Sequence, residues 1–204
     1  MANDQKKIAC IGWGSLVWAP RDLPLVDEWR NDGPSLPVEF ARESGDAPGT
    51  RRITLVICPE APRVTTYWAT LDASTINVAR DQLGVREYKD ATAKWIAKNV
   101  GFWDERTDTS FGLEEKIIAT WAMANGLAGA VWTNLPCGFR ESRETMPQSE
   151  AVVAYLRALG PEDRLGAEEY VRNAPGQIDT PYRRAIEDAL GWTSRISARR
   201  EGGT

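Results

Sequence analysis

The chain has 204 residues, which suits one domain of ordinary size and can bury a core without disulfides or a structural metal. Its 25 Lys and Arg against 29 Asp and Glu leave a net charge of −4, so it is a poor candidate for a phosphate-backbone binder. It has no histidine, which excludes a Ser-His-Asp or Cys-His nucleophilic site, an imidazole zinc site and a histidine pH switch.

The three cysteines, Cys10, Cys58 and Cys137, are widely spaced and form no C-x-x-C pair. They read as reduced thiols of a cytosolic protein. The start, Met1 to Lys7, passes directly into an apolar stretch too short for a signal-peptide core. The most apolar region, Ile117 to Trp132, is interrupted and too short to span a bilayer. A cytoplasmic protein is expected, one that binds neither nucleic acid nor membrane. Any catalysis must rest on carboxylates, Lys, Tyr, Ser, Cys or backbone amides.

In chain order, Ile8 to Ile11 reads as a buried strand running into Gly12-Trp13-Gly14-Ser15. Residues 19–37, with Pro20, Pro24, Gly33 and Pro37, read as irregular. Val38 to Arg42 alternates as a half-buried strand does, and residues 43–50 carry turn chemistry. Ile53 to Cys58 and Val64 to Leu71 suggest adjacent antiparallel strands. A helix over 75–83 is expected, capped by Ser74 and closed by Gly84, then another over 88–99. The strongest helical pattern spans 112–125 with Ser110 as cap, and Ala128 to Asn134 reads as a central strand. Helices follow at about 148–159, 162–173 and 181–190, then a tail, 195–204, expected to fray. The class expected is α+β with a mostly antiparallel sheet, a single domain over 1–194.

Gly12-Trp13-Gly14 after a strand invites a dinucleotide reading. The fingerprint needs Gly or Ala where Val17 stands, and with Pro20 close behind no helix is expected to start. The G-x-S-x-G elbow fails as well, because Trp13 and Val17 flank Ser15 at the required places. What remains is either a plain turn or a nest of backbone N–H groups from Gly14, Ser15 and Leu16 that receives a carboxylate or a developing oxyanion.

Ile11-Gly-Trp-Gly-Ser-Leu-Val-Trp18 is similar to the F-G-Y-G-S-L-x-W signature of the γ-glutamylcyclotransferase superfamily, in its ChaC-like branch. Arg51-Arg-Ile-Thr-Leu-Val56 resembles the family's G-R-x-x-T-L-V strand, and Val64 to Leu71 stands where the family has W-G-x-x-Y. Leu83-Gly-Val-Arg-Glu87 resembles the L-D-x-R-E that carries the catalytic glutamate. The order holds through residue 88. Beyond it, Trp132 to Pro136 and Asn173 to Tyr182 are only loosely similar. The departures are plain: Trp13 replaces a tyrosine, Tyr88-Lys89-Asp90 replaces K-G-G-Y, and Arg42 to Asp46 replaces Q-G-S-x-D-H-R-G without its histidine. Residues 89–127 resemble a helical insertion.

The resemblance implies a small, mostly antiparallel barrel-like sheet with surrounding helices. It implies cyclisation of a γ-glutamyl amide to 5-oxoproline with release of an amine, lyase or acyl-transfer chemistry needing no cofactor and no metal. The substrate is expected to be a γ-glutamyl amide other than glutathione, or glutathione held loosely. Glu87 is the candidate acid/base. Trp13, Gly14, Ser15, Leu16, Arg42 and Ser44 are candidate substrate-binding residues. Two alternatives stand: a non-catalytic small-molecule binder and a protein-interaction member of the same fold. Arg86 is given a salt-bridge role at most. Glu39, in an otherwise apolar strand, is a second carboxylate whose side chain is expected on the solvent face. Cys137 is expected to be a buried thiol in a turn. The tryptophans are expected in the core, Trp13 excepted.

Overall fold

The computed structural model describes residues 7–195. Among them the chain forms seven α-helices and eight strands, the α+β class expected. They separate into two compact units, each assembled from non-contiguous pieces. The tail 195–204 lies outside the described residues except for Arg195.

The first unit takes the chain up to Gly12, Ala19–Leu36 and Thr65–Leu135. Its strands are β1 (Ile8–Gly12), β5 (Tyr67–Leu71), β6 (Val100–Asp104), β7 (Thr109–Phe111) and β8 (Gly129–Thr133), in the sheet order β5-β1-β8-β6-β7. β1 runs parallel to β8, while the other pairings are antiparallel. All five residues of β1 are buried, which is why it reads as an unbroken apolar run. The central strand expected at 128–134 is β8. Helices α2 (Ile76–Glu87) and α4 (Glu115–Ala124) pack on this sheet, and α3 (Ala93–Asn99) packs on α2.

Four expectations give way here. Thr75 rather than Ser74 caps α2, its Oγ1 accepting from the Val78 N–H at 3.3 Å. Gly84 does not stop that helix. A Cβ there would lie 2.6 Å from Ile96 Cγ1, so this glycine lets α3 approach α2 closely. The helix expected from residue 88 starts only at Ala93, after its own cap Thr92. The stretch expected to be helical over 89–127 also carries β6 and β7. Val100–Asp104 is short and aromatic-rich, and the free edge of β8 draws it into the sheet.

The second unit takes Trp13–Trp18, Pro37–Val64 and the chain from Pro136 onward. It holds α1 (Ser15–Trp18), β2 (Ser35–Ser44), β3 (Arg52–Ile57), β4 (Arg63–Thr65), α5 (Ser149–Ala158), α6 (Pro161–Asn173) and α7 (Pro181–Leu190). The sheet order is β3-β2-β4. The run 64–71 is therefore not one strand beside β3. It breaks at the buried Thr66, whose N–H and hydroxyl both bond the Pro34 carbonyl, and its halves join different sheets. The β2–β3 ladder passes from Phe40↔Leu55 to Arg42↔Thr54, leaving Ala41 as a bulge. The three C-terminal helices match their expected spans. Pro161 and Pro181 open two of them, Thr180 caps α7, and Gly191 ends it in the left-handed region at φ 71°.

Candidate active site

Glu87 is the last residue of α2, so it ends a helix where the sequence suggested it began one. Tyr88 follows in extended conformation, with its N–H on the Gly84 carbonyl. A carboxylate at a helix C-terminus faces the negative end of the macrodipole, an unfavourable place for charge. The compensating group is Arg86. Its side chain is only 5 % exposed, and its Nη1 donates to Glu87 Oε1 at 2.5 Å. Its Nη2 donates to the Ala19 carbonyl at 2.7 Å. The Glu87 side chain keeps 17 % of its surface. Behind the pair, burial pushes the Cys10 thiol up to about 12, the Glu87 carboxylate adding to the rise and Arg86 opposing it. A nucleophilic role for Cys10 is thereby disfavoured.

The glycine loop belongs to the second unit. A helix does start in it, contrary to expectation: Ser15–Trp18 form one turn, with the Val17 N–H on the Gly14 carbonyl at 2.9 Å. One turn ending before Pro20 tolerates Val17, since a β-branched residue costs only tenths of a kcal/mol in a helix. Trp13 is buried, its Nε1 donating to the Leu55 carbonyl at 3.2 Å. The exception made for Trp13 among the tryptophans does not hold for its burial.

Gly14 meets a residue that sequence reasoning missed. The Tyr170 hydroxyl on α6 lies 2.8 Å from where a Gly14 Cβ would be, and it accepts from the Leu55 N–H at 3.2 Å. Trp18 packs edge-on against the Tyr170 ring at 5.2 Å. A side chain at residue 14 would strike that hydroxyl, so glycine is required for space. The sequence carried no signal for this, because Tyr170 lies far along the chain in an ordinary helical pattern.

Arg42 and Ser44 stand at the end of β2, beyond the bulge. Arg42 Nη1 donates to the Pro136 carbonyl at 2.6 Å, and Ser44 Oγ pairs with Thr54 Oγ1 at 2.8 Å. Burial, helped by Arg143 and Arg140, brings the Arg42 guanidinium down to about 10. Arg140 binds Glu43 and Asp46, and Arg143 binds the Gly138 and Glu43 carbonyls. The ladder sets Arg42 opposite Thr54, the neighbour of the Leu55 that anchors Trp13, and Ser44 opposite Arg52.

Glu39 is not on a solvent face. It is 0 % exposed. Its Oε1 accepts from Thr180 Oγ1 and, at 2.8 Å, from the Phe40 N–H, while Oε2 accepts from the Tyr182 N–H at 3.3 Å. Burial pushes its carboxyl above the usual 4.5, against the pull of those hydrogen bonds. Cys137 is a buried thiol, as expected, and is hydrogen-bonded to Cys58, whose thiol burial and that neighbour push up to about 12.

Among the described residues, two cavities open on the first unit. One of about 420 Å³ lies at the N-terminus of α2, near Thr75, Asp104 and Thr107, and no candidate residue lines it. The other, about 780 Å³, is bounded by Arg21 and Pro24 and by Gln82, Val85 and Arg86 of α2. That volume is within the range of small-molecule sites. Among the described residues no three His, Cys, Asp or Glu side chains converge as metal ligands, and no helix is long and apolar enough to cross a membrane.

No protein-family model matches the sequence, and no curated protein matches it. Solved structures do. A crystal structure of a γ-glutamyl cyclotransferase specific to glutathione from yeast is similar over 91 % of this chain and 98 % of its own, with a TM-score of 0.50 and 12 % identity. The selenomethionine-labelled form of the yeast protein scores 0.47 at 13 % identity, over 92 % and 97 % of the two chains. The chain therefore has a γ-glutamyl cyclotransferase-like fold.

Proposed function

We propose that this chain is a γ-glutamyl cyclotransferase of the ChaC-like kind, converting a γ-glutamyl amide to 5-oxoproline and a free amine, with Glu87 as the general acid/base. The substrate's own α-amino nitrogen attacks its γ-carbonyl carbon, so the protein supplies no nucleophile and needs no histidine. Glu87 takes a proton from the α-ammonium group. The new C–N bond closes the five-membered ring, and the carbonyl oxygen carries the negative charge meanwhile. The C–N bond to the leaving amine then breaks, Glu87 returns its proton to that nitrogen, and the ring nitrogen, which attacked with two hydrogens, sheds one to solvent. Ring closure is intramolecular, so holding the substrate folded supplies much of the rate.

Trp13, Gly14, Ser15 and Leu16, with Arg42 and Ser44, are assigned to substrate binding. Backbone N–H groups of the glycine loop suit an anion, and the Arg42 guanidinium suits a carboxylate. The reading extends to a cytoplasmic enzyme without metal or cofactor, and the three buried free cysteines are consistent with a reducing compartment.

The observation that carries the reading is the placing of Glu87 in a fold shared with a cyclotransferase. It sits at the wrong end of a helix for charge stability and is partly open to solvent. A buried arginine holds it. A carboxylate that is partly open to solvent and fixed by a neighbouring cation is suited to acid/base work.

The test is release of 5-oxoproline from a panel of γ-glutamyl amides that includes glutathione. Turnover of at least one supports the reading. Binding of one without turnover of any transfers the chain to the small-molecule binders.

A further inference from the structure

We propose that Arg86 is a positioning residue that ties the Glu87 carboxylate to the backbone of Ala19, and that turnover depends on this tie. The inference rests on the assignment of Glu87 as the acid/base group.

Neighbouring residues on a helix do not face each other, because their side chains diverge by about 100°. An Arg86–Glu87 contact is therefore not the incidental pairing that residues four apart make. It exists because the helix ends at Glu87 and because Arg86 turns back over that end. The guanidinium is planar, so its two bonds are coupled in space: Nη1 on Glu87 Oε1 at 2.5 Å and Nη2 on the Ala19 carbonyl at 2.7 Å.

Ala19 is itself held. The segment after it turns with the Leu23 N–H on the Pro20 carbonyl. It then runs beside β5, with the Val26 N–H on the Thr70 carbonyl and the Asp72 N–H on the Pro24 carbonyl. The position of one carboxylate oxygen is thus referred through Arg86 to the sheet. This leaves Oε2 as the oxygen assigned to proton transfer. A lysine would keep the charge but, with its single nitrogen, not the fixed fork.

Arg86 also lines the 780 Å³ cavity, so a small cation can reach its place from solvent. This makes the proposal testable by replacing the side chain with free guanidinium.

The experiment measures kcat and KM for 5-oxoproline release by wild type, Arg86→Met, Arg86→Lys, Arg86→Ala and Glu87→Gln, and by Arg86→Met combined with Glu87→Gln. Loss of positioning by about 1 Å costs on the order of 100-fold, so Arg86→Met is expected to lose about that in kcat with KM within about threefold. In the Glu87→Gln background the same change is expected to cost less than about threefold, because its effect acts through the missing carboxylate. Guanidinium, and not ammonium at equal ionic strength, is expected to restore part of the kcat of Arg86→Ala. Where Arg86→Met fails to fold, Arg86→Lys decides: a loss of about tenfold supports the fork, and full kcat overturns it. An equal loss from Arg86→Met in both backgrounds also overturns it, since a merely structural arginine behaves so. If wild type is inactive on every γ-glutamyl compound, or Glu87→Gln stays active, the functional reading fails first and takes this inference with it. If wild type is active, Glu87→Gln is dead and Arg86→Met is unimpaired, only the inference fails.

Discussion

The two units each hold one carboxylate that the sequence marks out, Glu39 and Glu87, and the two are treated in opposite ways. Glu39 has no exposure, and three donors converge on it from Thr180, Phe40 and Tyr182. Two of these belong to the start of α7, where the helix dipole favours negative charge. Glu87 stands at the far end of its helix, against the dipole, with part of its surface open and a single cation holding one oxygen. A buried carboxylate that takes donors from its own strand and from the start of α7 holds two elements together. One set against its local field and kept accessible is available for chemistry.

The largest expected effect that tests this contrast is on stability. Glu39→Ala removes an acceptor from three donors and leaves a cavity, so unfolding is expected to become easier by about 3 kcal/mol. Chemical denaturation measures it. A loss as large from Glu87→Gln, with little from Glu39→Ala, would break the comparison.

Glu39 also carries a pH signature. Burial raises its carboxyl in the folded chain above the usual 4.5, so the fold favours the protonated form. Its contribution is fully present below the unfolded value and is lost as pH rises through the folded one. The slope for one group is at most about 1.4 kcal/mol per pH unit. Glu39→Gln mimics the neutral form and does not titrate, so wild type is expected to lose stability relative to this variant as pH rises from about 4.5. A wild type that gains stability relative to the variant over that range contradicts the assignment.

A smaller effect sharpens the comparison from the other side. Gly84→Ala puts a methyl 2.6 Å from Ile96 Cγ1, one turn before Arg86 and Glu87. Overpacking of ~1–3 kcal/mol is partly offset by alanine's better helix propensity of ~1 kcal/mol, so about 1 kcal/mol of stability should go. Turnover is expected to fall by more than that loss explains, because the end of α2 shifts. Undiminished kcat would mean that Glu87 tolerates displacement.

Much of this was legible in sequence where the determinants are local. The spans of α5, α6 and α7 follow from periodicity together with Pro161, Thr180-Pro181 and Gly191. β1 and β8 follow from apolar runs bounded by breakers. The failures share one physical cause, dependence on a distant partner. Gly84 reads as a stop until Ile96 is seen against it. β6 is short and lies between helices, and it becomes a strand only because β8 offers an edge. Glu39 reads as half-exposed because Thr180 lies 141 residues away. For Glu87 the motif named the residue but not its setting, since Ala19 lies 67 residues from Arg86. Glu39 did leave a trace: an acid in an apolar strand and a Thr-Pro helix start are two halves of one clamp.

The most direct measurement of the central claim is kcat for 5-oxoproline release by Glu87→Gln beside wild type, on the γ-glutamyl amide that wild type turns over fastest, with the unfolding midpoint of both recorded. Glutamine keeps the volume and a hydrogen-bonding oxygen but cannot accept the ammonium proton. General acid–base catalysis contributes ~10²–10⁴-fold, so kcat is expected to fall by at least about 100-fold, with KM little changed and the fold intact. A Glu87→Gln protein that is folded and retains most of the wild-type turnover would contradict the account.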